Sequence, residues 1–277
     1  MLANQRFAVE IPEFRLPIVI IRKGSDIMEI RTFGTGKRIE ECRRVICDRE
    51  DELLFRRLFL LPIPTSRDKK TITGTDVPLS ELVEEACFGD AVAGYGIPEN
   101  IKEKLLFKGA EVYDGGEDED FLFRNAEVTA RGALGYILTE NERDLTELSV
   151  GIIGYGRIGS CLLRYLLFLG ASVTVYTTRE AVAFELCESG VKASVSFDAL
   201  LSQDILVNTD PRRQLSERCA LDFMERARII DLASGRVFPE SKNLVKLSSI
   251  PEKMYPITAG RLYAEHIIEY LSGEGRV

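Results

Sequence analysis

Three glycines, Gly154, Gly156 and Gly159, stand as G-x-G-x-x-G between two apolar segments and leave this stretch few folds to choose from. Ahead of them LSVGII reads as a buried strand. Behind them SCLLRYLLFLG reads as a helix ended by Gly170, and ASVTVYTT as a second strand. A bare glycine triplet arises by chance, and the bland alternative is a tight turn with no ligand; the order strand, turn, helix, strand favours a dinucleotide-binding βαβ unit. In such a unit Gly154 allows the sharp turn, Gly156 clears space where a pyrophosphate meets the backbone, and Gly159 seats the helix close to the sheet. The helix start then offers N–H groups and its positive dipole end to phosphate. Gly154, Tyr155, Gly156, Arg157, Ile158 and Gly159 are therefore the expected cofactor turn.

The second strand of such a unit normally ends in an acid that binds the adenosine ribose, about 20 residues after the glycines. Here that place holds Tyr176, Thr177, Thr178 and Arg179, and the first carboxylate is Glu180. Hydroxyls beside a guanidinium suit a 2′-phosphate, so NADP is expected, with NAD as the alternative if Glu180 serves the ribose. Two further loops follow strands, Asn208-Thr209-Asp210-Pro211 after DILV and Ser234-Gly235-Arg236 after IIDLA. Ligands bind outside the carboxyl ends of such strands, so Asn208, Thr209 and Ser234 are expected near the nicotinamide half; turn chemistry explains the same residues equally well.

The 277 residues allow about two domains. Pro17 to Ile21, Arg44 to Cys47, Leu58 to Pro62, Asp90 to Tyr95 and Ala110 to Tyr113 read as strands, with an amphipathic helix over Leu79 to Ala86. Helices are expected over Val128 to Asn141, Ala181 to Ser189, Leu215 to Arg226 and Ala259 to Leu271, and strands over Asp204 to Val207 and Ala227 to Leu232. The alternation predicts an α/β fold with two Rossmann-like, doubly wound parallel-sheet domains, the second carrying the fingerprint. Expected boundaries are 1–127 for a substrate domain, 128–256 for the nucleotide domain and 257–277 for a terminal helix that returns to the first domain. The acidic run Asp114 to Asp120 reads as a solvated connection.

Composition narrows the function classes. With 36 basic against 44 acidic residues the chain carries a formal charge of −8, which disfavours nucleic acid and anionic lipid as partners. No apolar run approaches the roughly 18 residues of a spanning helix, and the start lacks a signal-peptide pattern, so a cytoplasmic location is expected. The cysteines at 42, 47, 87, 161, 187 and 219 form no C-x-x-C pair and one histidine accompanies them, which argues against a metal centre and for reduced, mostly buried thiols. That histidine, His266, lies off the apolar stripe of its helix and reads as a surface or boundary residue.

The strings NAEVTARGALGYIL, GIIGYGRIGSCLLRYLLFLGASVTVYTTR, LVNTDP, IIDLASG and PITAGRLYA together resemble the dipicolinate synthase A-chain family, two-domain relatives of the D-2-hydroxyacid dehydrogenases. The likeness spans roughly residues 55 to 272 and includes LFLLPIPTSRDKKTI, similar to that family's proline-containing loop. It implies an NADP-linked oxidoreductase acting on a small cyclic dicarboxylate of dihydrodipicolinate type, in spore-forming bacteria, with a flavoprotein-like second subunit. It implies cofactor contacts at the glycine turn and at Thr177 to Arg179. Substrate contacts or catalytic groups are implied at Thr65, Ser66, Arg67, Asn125, Thr129, Ser234 and Thr258. The chain departs from the family at its start, FAVEIPEFRLPIVII, which lacks a glycine turn, and at Arg131, where a T-x-E-G pattern is usual.

Hydride transfer also needs a group to manage the proton. Thr65, Ser66 and Ser234 are the candidates beside water and substrate acidity, and Arg67, Arg131, Arg236 and Arg261 are the candidate carboxylate partners. Two other readings are a nucleotide-binding subunit or sensor without turnover, and a D-2-hydroxyacid dehydrogenase relying on His266. A homo-oligomer is compatible with all three.

Overall fold

Apolar runs and amphipathic stripes resolve into two α/β units in the computed structural model, which describes residues 5–10, 17–23, 26–53, 55–211, 217–233 and 238–273. In chain order the elements begin β1 (Gln5–Glu10), β2 (Pro17–Lys23), β3 (Asp26–Thr32), α1 (Lys37–Asp48), β4 (Arg57–Leu60), α2 (Leu79–Glu85), β5 (Ala91–Gly94), α3 (Glu99–Phe107), β6 (Glu111–Asp114) and α4 (Glu119–Thr139). They continue β7 (Ser149–Ile153), α5 (Arg157–Phe168), β8 (Ser172–Tyr176), α6 (Glu180–Glu188), β9 (Lys192–Ser194), β10 (Ile205–Asn208), α7 (Glu217–Arg226), β11 (Arg228–Asp231), β12 (Leu244–Lys246), α8 (Ile250–Met254) and α9 (Pro256–Ser272). One unit comprises Met1–Arg124 and Pro256–Val277, the other Asn125–Tyr255.

In the first unit the strands lie in the order β1 to β6. β3 to β6 are parallel, each joined to the next through a helix, as parallel neighbours require. β2 and β3 are separated only by residues 24 and 25, too few for a crossover, so they pair antiparallel, as do β1 and β2. Phe59 and Leu61 pack with Leu79, Leu82, Ile101 and Leu105 of α2 and α3, while the alternate residues Leu58 and Leu60 are equally buried. Both faces of β4 are thus covered, the condition for a parallel strand. Helix α9 meets α1 with almost no gap: a Cβ on Gly260 would lie 2.4 Å from the Arg38 carbonyl oxygen. Arg261 Nε donates to Glu41 Oε1 at 2.8 Å across the same contact.

The second unit has the order β12-β11-β10-β7-β8-β9, all parallel. The chain winds outward from β7 to β9, then returns to β10 on the other side of β7. The reversal opens a crevice at the carboxyl ends of β7 and β10, where open α/β sheets bind ligands. Val150, Ile152, Leu162, Leu166, Val173, Val175 and Val207 form the core beneath α5. Gly132 of α4 permits close packing there, since a Cβ on it would lie 2.2 Å from Ile250 Cγ2.

Three expectations are corrected. Arg44 to Cys47 is not a strand but part of α1, whose buried residues Ile39, Cys42 and Ile46 recur at helical spacing; a four-residue apolar run carries no period of its own. The acidic run 114–120 is no mere solvated link. Asp114 is buried and its carboxylate accepts the N–H groups of Gly96, Ile97 and Gly116, while Asp118 Oδ1 accepts the Phe121 N–H at 2.9 Å and caps α4. That cap starts the helix at Glu119, nine residues before Val128. Finally, His266 is not at the surface but 4% exposed.

Candidate dinucleotide site

Two of the three fingerprint glycines are required by the packing around them. Gly154 has φ +96°, in the left-handed region, and a Cβ there would lie 2.9 Å from Thr209 Oγ1. A Cβ on Gly159 would sit 2.2 Å from the Gly154 carbonyl oxygen, so the first turn of α5 rests directly on the bend. Gly156 is different: a Cβ on it would meet nothing within 4 Å. No atom of the described residues demands glycine at that position, which in a dinucleotide turn is where the phosphate approaches the backbone. The Ser160 N–H is satisfied by the Gly156 carbonyl at 2.9 Å, leaving the helix-start N–H groups of Ile158 and Gly159 ahead of it.

These residues line a cavity of about 350 Å³ together with Tyr176, Thr177, Thr178, Arg179, Thr209, Asp210 and Pro211. The structure therefore gathers the glycine turn, the end of β8 and the loop after β10. Arg179 reaches across it, its Nη2 donating to the Tyr155 carbonyl at 2.7 Å. Thr178 is exposed; Thr177 is buried, and its Oγ1 accepts the Arg179 N–H at 3.3 Å. Thr209 Oγ1 lies 3.1 Å from the Ile153 carbonyl and 3.2 Å from that of Gly154, fastening its loop to the bend. Glu180 opens α6 and does not line the cavity.

Asn208 is placed differently from expectation. It is fully buried, its Nδ2 donates to Asp231 Oδ1 at 2.8 Å, and its Oδ1 accepts the Asp210 N–H at 3.2 Å. It braces the loop rather than facing a ligand. Asp231 has no role that the sequence assigns; burial pushes its carboxyl above the usual range, against the hydrogen bonds from Asn208 and the Ala233 N–H.

Among the proposed proton handlers and substrate contacts, Thr65 is corrected from a catalytic to a structural position. It is 0% exposed, its Oγ1 accepts the Tyr95 N–H at 2.8 Å, and its own N–H donates to the Tyr95 carbonyl at 2.9 Å. Ser66 donates to Asp68 Oδ1 at 3.0 Å. Asp68 also accepts the Thr71 and Lys70 N–H groups, which hold its carboxyl well below the usual range and set the loop that carries exposed Arg67. Thr129 is buried on α4 and donates to the Asn125 carbonyl at 2.9 Å; Asn125 is half-buried. Arg131 is exposed, 3.4 Å from the Tyr165 hydroxyl, and Thr258 is exposed in the first turn of α9. Arg261 is committed to Glu41. Ser234 and Arg236 lie outside the described residues. Thr65, Ser66, Arg67 and Thr258 belong to the first unit, and Asn125, Thr129 and Arg131 to the second.

Among the described residues no group of three or more His, Cys, Asp or Glu is placed to hold a metal, and no helix is long and apolar enough to cross a membrane.

Comparison with known proteins agrees with this geometry. Residues 129–246 match the family described as D-isomer specific 2-hydroxyacid dehydrogenase, NAD binding domain. No curated protein matches. Among solved structures, the dipicolinate synthase A chain from Bacillus halodurans superposes with TM-score 0.69 at 19% identity, covering 87% of this chain and 96% of that one. The dipicolinate synthase A chain from Bacillus subtilis gives 0.72 at 17%, covering 88% and 95%. Salmonella D-lactate dehydrogenase gives 0.53 at 13%, covering 87% and 95%. Residues 129–246 are thus similar to the NAD binding domain of the D-isomer specific 2-hydroxyacid dehydrogenases, which supports an NAD(P)-dependent oxidoreductase, and the fold over most of the chain is shared with the two dipicolinate synthase A chains.

Proposed function

We propose that the protein is an NADP-linked oxidoreductase that exchanges a hydride with a small cyclic dicarboxylate of dihydrodipicolinate type. The observation that carries the cofactor choice is Arg179, whose guanidinium reaches the Tyr155 carbonyl beside two threonines at the end of β8; Glu180 stays outside the cavity lining, and the lining acid Asp210 belongs to the loop after β10. A guanidinium pairs with a phosphate dianion through charge-assisted bonds, whereas a ribose hydroxyl pair wants a carboxylate acceptor. The dicarboxylate reading rests on the shared fold with the two dipicolinate synthase structures and on exposed Arg67 and Arg131, with half-buried Ser66, as partners for substrate carboxylates. Thr177, Thr178 and Thr209 would hold the cofactor with the glycine turn, and the bound nicotinamide supplies the hydride chemistry. Asn125, Thr129, Thr258 and Ser234 complete the proposed substrate set. A flavoprotein-like second subunit is the proposed partner, and the cytoplasm the proposed location.

Fluorescence titration tests this reading. NADPH emission should change saturably, with NADH binding at least tenfold weaker, and a dihydrodipicolinate precursor should be turned over with NADP(H), alone or with the flavoprotein-like partner. Equal affinity for the two coenzymes would overturn the NADP assignment, and absence of saturable binding would overturn the whole proposal.

A further inference from the structure

Two phenylalanines of the first unit stand almost entirely in solvent. Phe107, the last residue of α3, is 93% exposed, and Phe88, in the turn between α2 and β5, is 83% exposed. The Phe88 ring lies over the turn that follows α3, since a Cβ on Gly109 would come 2.6 Å from Phe88 Cδ2. Gly109 is tied in turn to the end of that helix, its N–H donating to the Leu106 carbonyl at 2.9 Å. Both rings therefore belong to one face, at the amino ends of β5 and β6. Open α/β sheets bind ligands at the carboxyl ends, so this face is remote from any ligand crevice of its own sheet. A single exposed apolar side chain needs no explanation, but an aromatic pair marks a surface of contact.

The charges around the pair say what fits it. Glu84 of α2, Glu103 and Lys104 of α3, and Lys108 just after α3 are all exposed. Lys108 Nζ donates to the Glu84 carbonyl at 2.7 Å, which draws the ends of α2 and α3 together. The face thus carries two acids and two bases. A partner of one sign, whether acidic or basic, would meet like charge at half of these positions. A second copy turned about a two-fold axis meets none of that conflict, because it can set each copy's lysines against the other's glutamates. An anionic lipid surface is disfavoured by the formal charge of −8.

The size of the face agrees with a modest association. At roughly 150–250 Å² per aromatic side chain, the two rings supply about half of the ~800 Å² that each partner brings to a standard interface. The charged rim supplies the rest, which places the dissociation constant on the order of 10 μM.

We propose that this face is an isologous interface between two copies of the chain, with Phe88 and Phe107 at its centre and Glu84, Glu103, Lys104 and Lys108 on its rim.

Sedimentation equilibrium of the full chain tests it. The parent should pass from monomer to dimer between about 1 and 100 μM. Phe107→Glu, at a position the fold does not bury, should weaken the dimer at least about tenfold with an unchanged melting temperature. Phe168→Glu is the control: Phe168 is 90% exposed on α5 of the second unit, and its replacement should leave the equilibrium where it is. Two charge variants test the rim. Glu84→Lys with Glu103→Lys makes the face wholly basic, and Lys104→Glu with Lys108→Glu makes it wholly acidic. Each should be monomeric alone, and the two should associate when mixed. A parent still monomeric at about 100 μM would overturn the proposal and leave the face to a different protein. An equilibrium unmoved by Phe107→Glu, dissociation by Phe168→Glu instead, or charge variants that ignore each other would overturn it as well.

Discussion

A Cβ added to Gly159 would lie 2.2 Å from the carbonyl oxygen of Gly154, so the helix that follows the bend is stacked on the bend itself. At Gly156, two residues from Gly154 and three from Gly159, the same construction meets nothing. The contrast separates a glycine that packing requires from one that packing does not.

Gly159→Ala and Gly156→Ala should therefore behave differently. The first forces the turn apart and should cost roughly 1–3 kcal/mol of stability together with dinucleotide affinity. The second should leave the melting temperature within about 1 °C, because no atom of the described residues is displaced, and yet weaken NADPH at least tenfold. Thermal denaturation and coenzyme titration on both variants check this. A Gly156→Ala protein that binds normally would show that the open space is not used by phosphate.

Arg179 is predicted to discriminate between coenzymes. Arg179→Ala should lose about 1.5–3 kcal/mol of NADPH affinity, the range for a hydrogen bond to a charged group. NADH binding should change little. Parallel titrations decide it, and an equal loss for both coenzymes would mean that Arg179 only steadies Tyr155.

The Asn208–Asp231 pair braces the loop that carries Thr209. Asn208→Ala leaves Asp231 buried without its amide donor and should destabilise by about 1–3 kcal/mol. Because burial raises the Asp231 carboxyl above its usual 3.8, the folded protein binds that proton more tightly than the unfolded chain does. Its contribution is present below pH about 4 and lost as pH rises through the raised value. Denaturant titrations across pH should show this slope in the parent and not in Asp231→Asn.

Glu41 works in the opposite sense. Hydrogen bonds from Arg44 and Arg261 lower its carboxyl from 4.5 to about 2. The stability it contributes is present above pH about 4.5 and is lost as pH falls towards 2. Glu41→Gln should flatten that part of the acid limb, and an unchanged acid limb would show that the α1–α9 ion pair contributes nothing.

What can be read in the residue order follows from the range of each signal. The glycine turn and the hydroxyl-rich end of β8 are local, set by bond rotations and nearest neighbours, and they are legible. Arg44 to Cys47 resembles a strand because four apolar or charged residues fit either period; only packing against α9 at Gly260 decides for helix. His266 reads as exposed because its helix neighbours Glu265 and Glu269 are, and its partner Asp118 lies 148 residues away in sequence. Thr65 and Asn208 read as ligand-facing on type and position. Their hydroxyl and amide turn to Tyr95 and Asp231, contacts that no spacing rule contains.

The central claim is that the bend from Gly154 to Gly159 holds the cofactor's diphosphate on backbone N–H groups. A crystal structure grown with excess NADPH tests it. The account predicts the diphosphate over Gly156 within hydrogen-bond distance of the first N–H groups of α5, with the 2′-phosphate beside Thr177, Thr178 and Arg179. Coenzyme density anywhere else, with the bend empty, would contradict it.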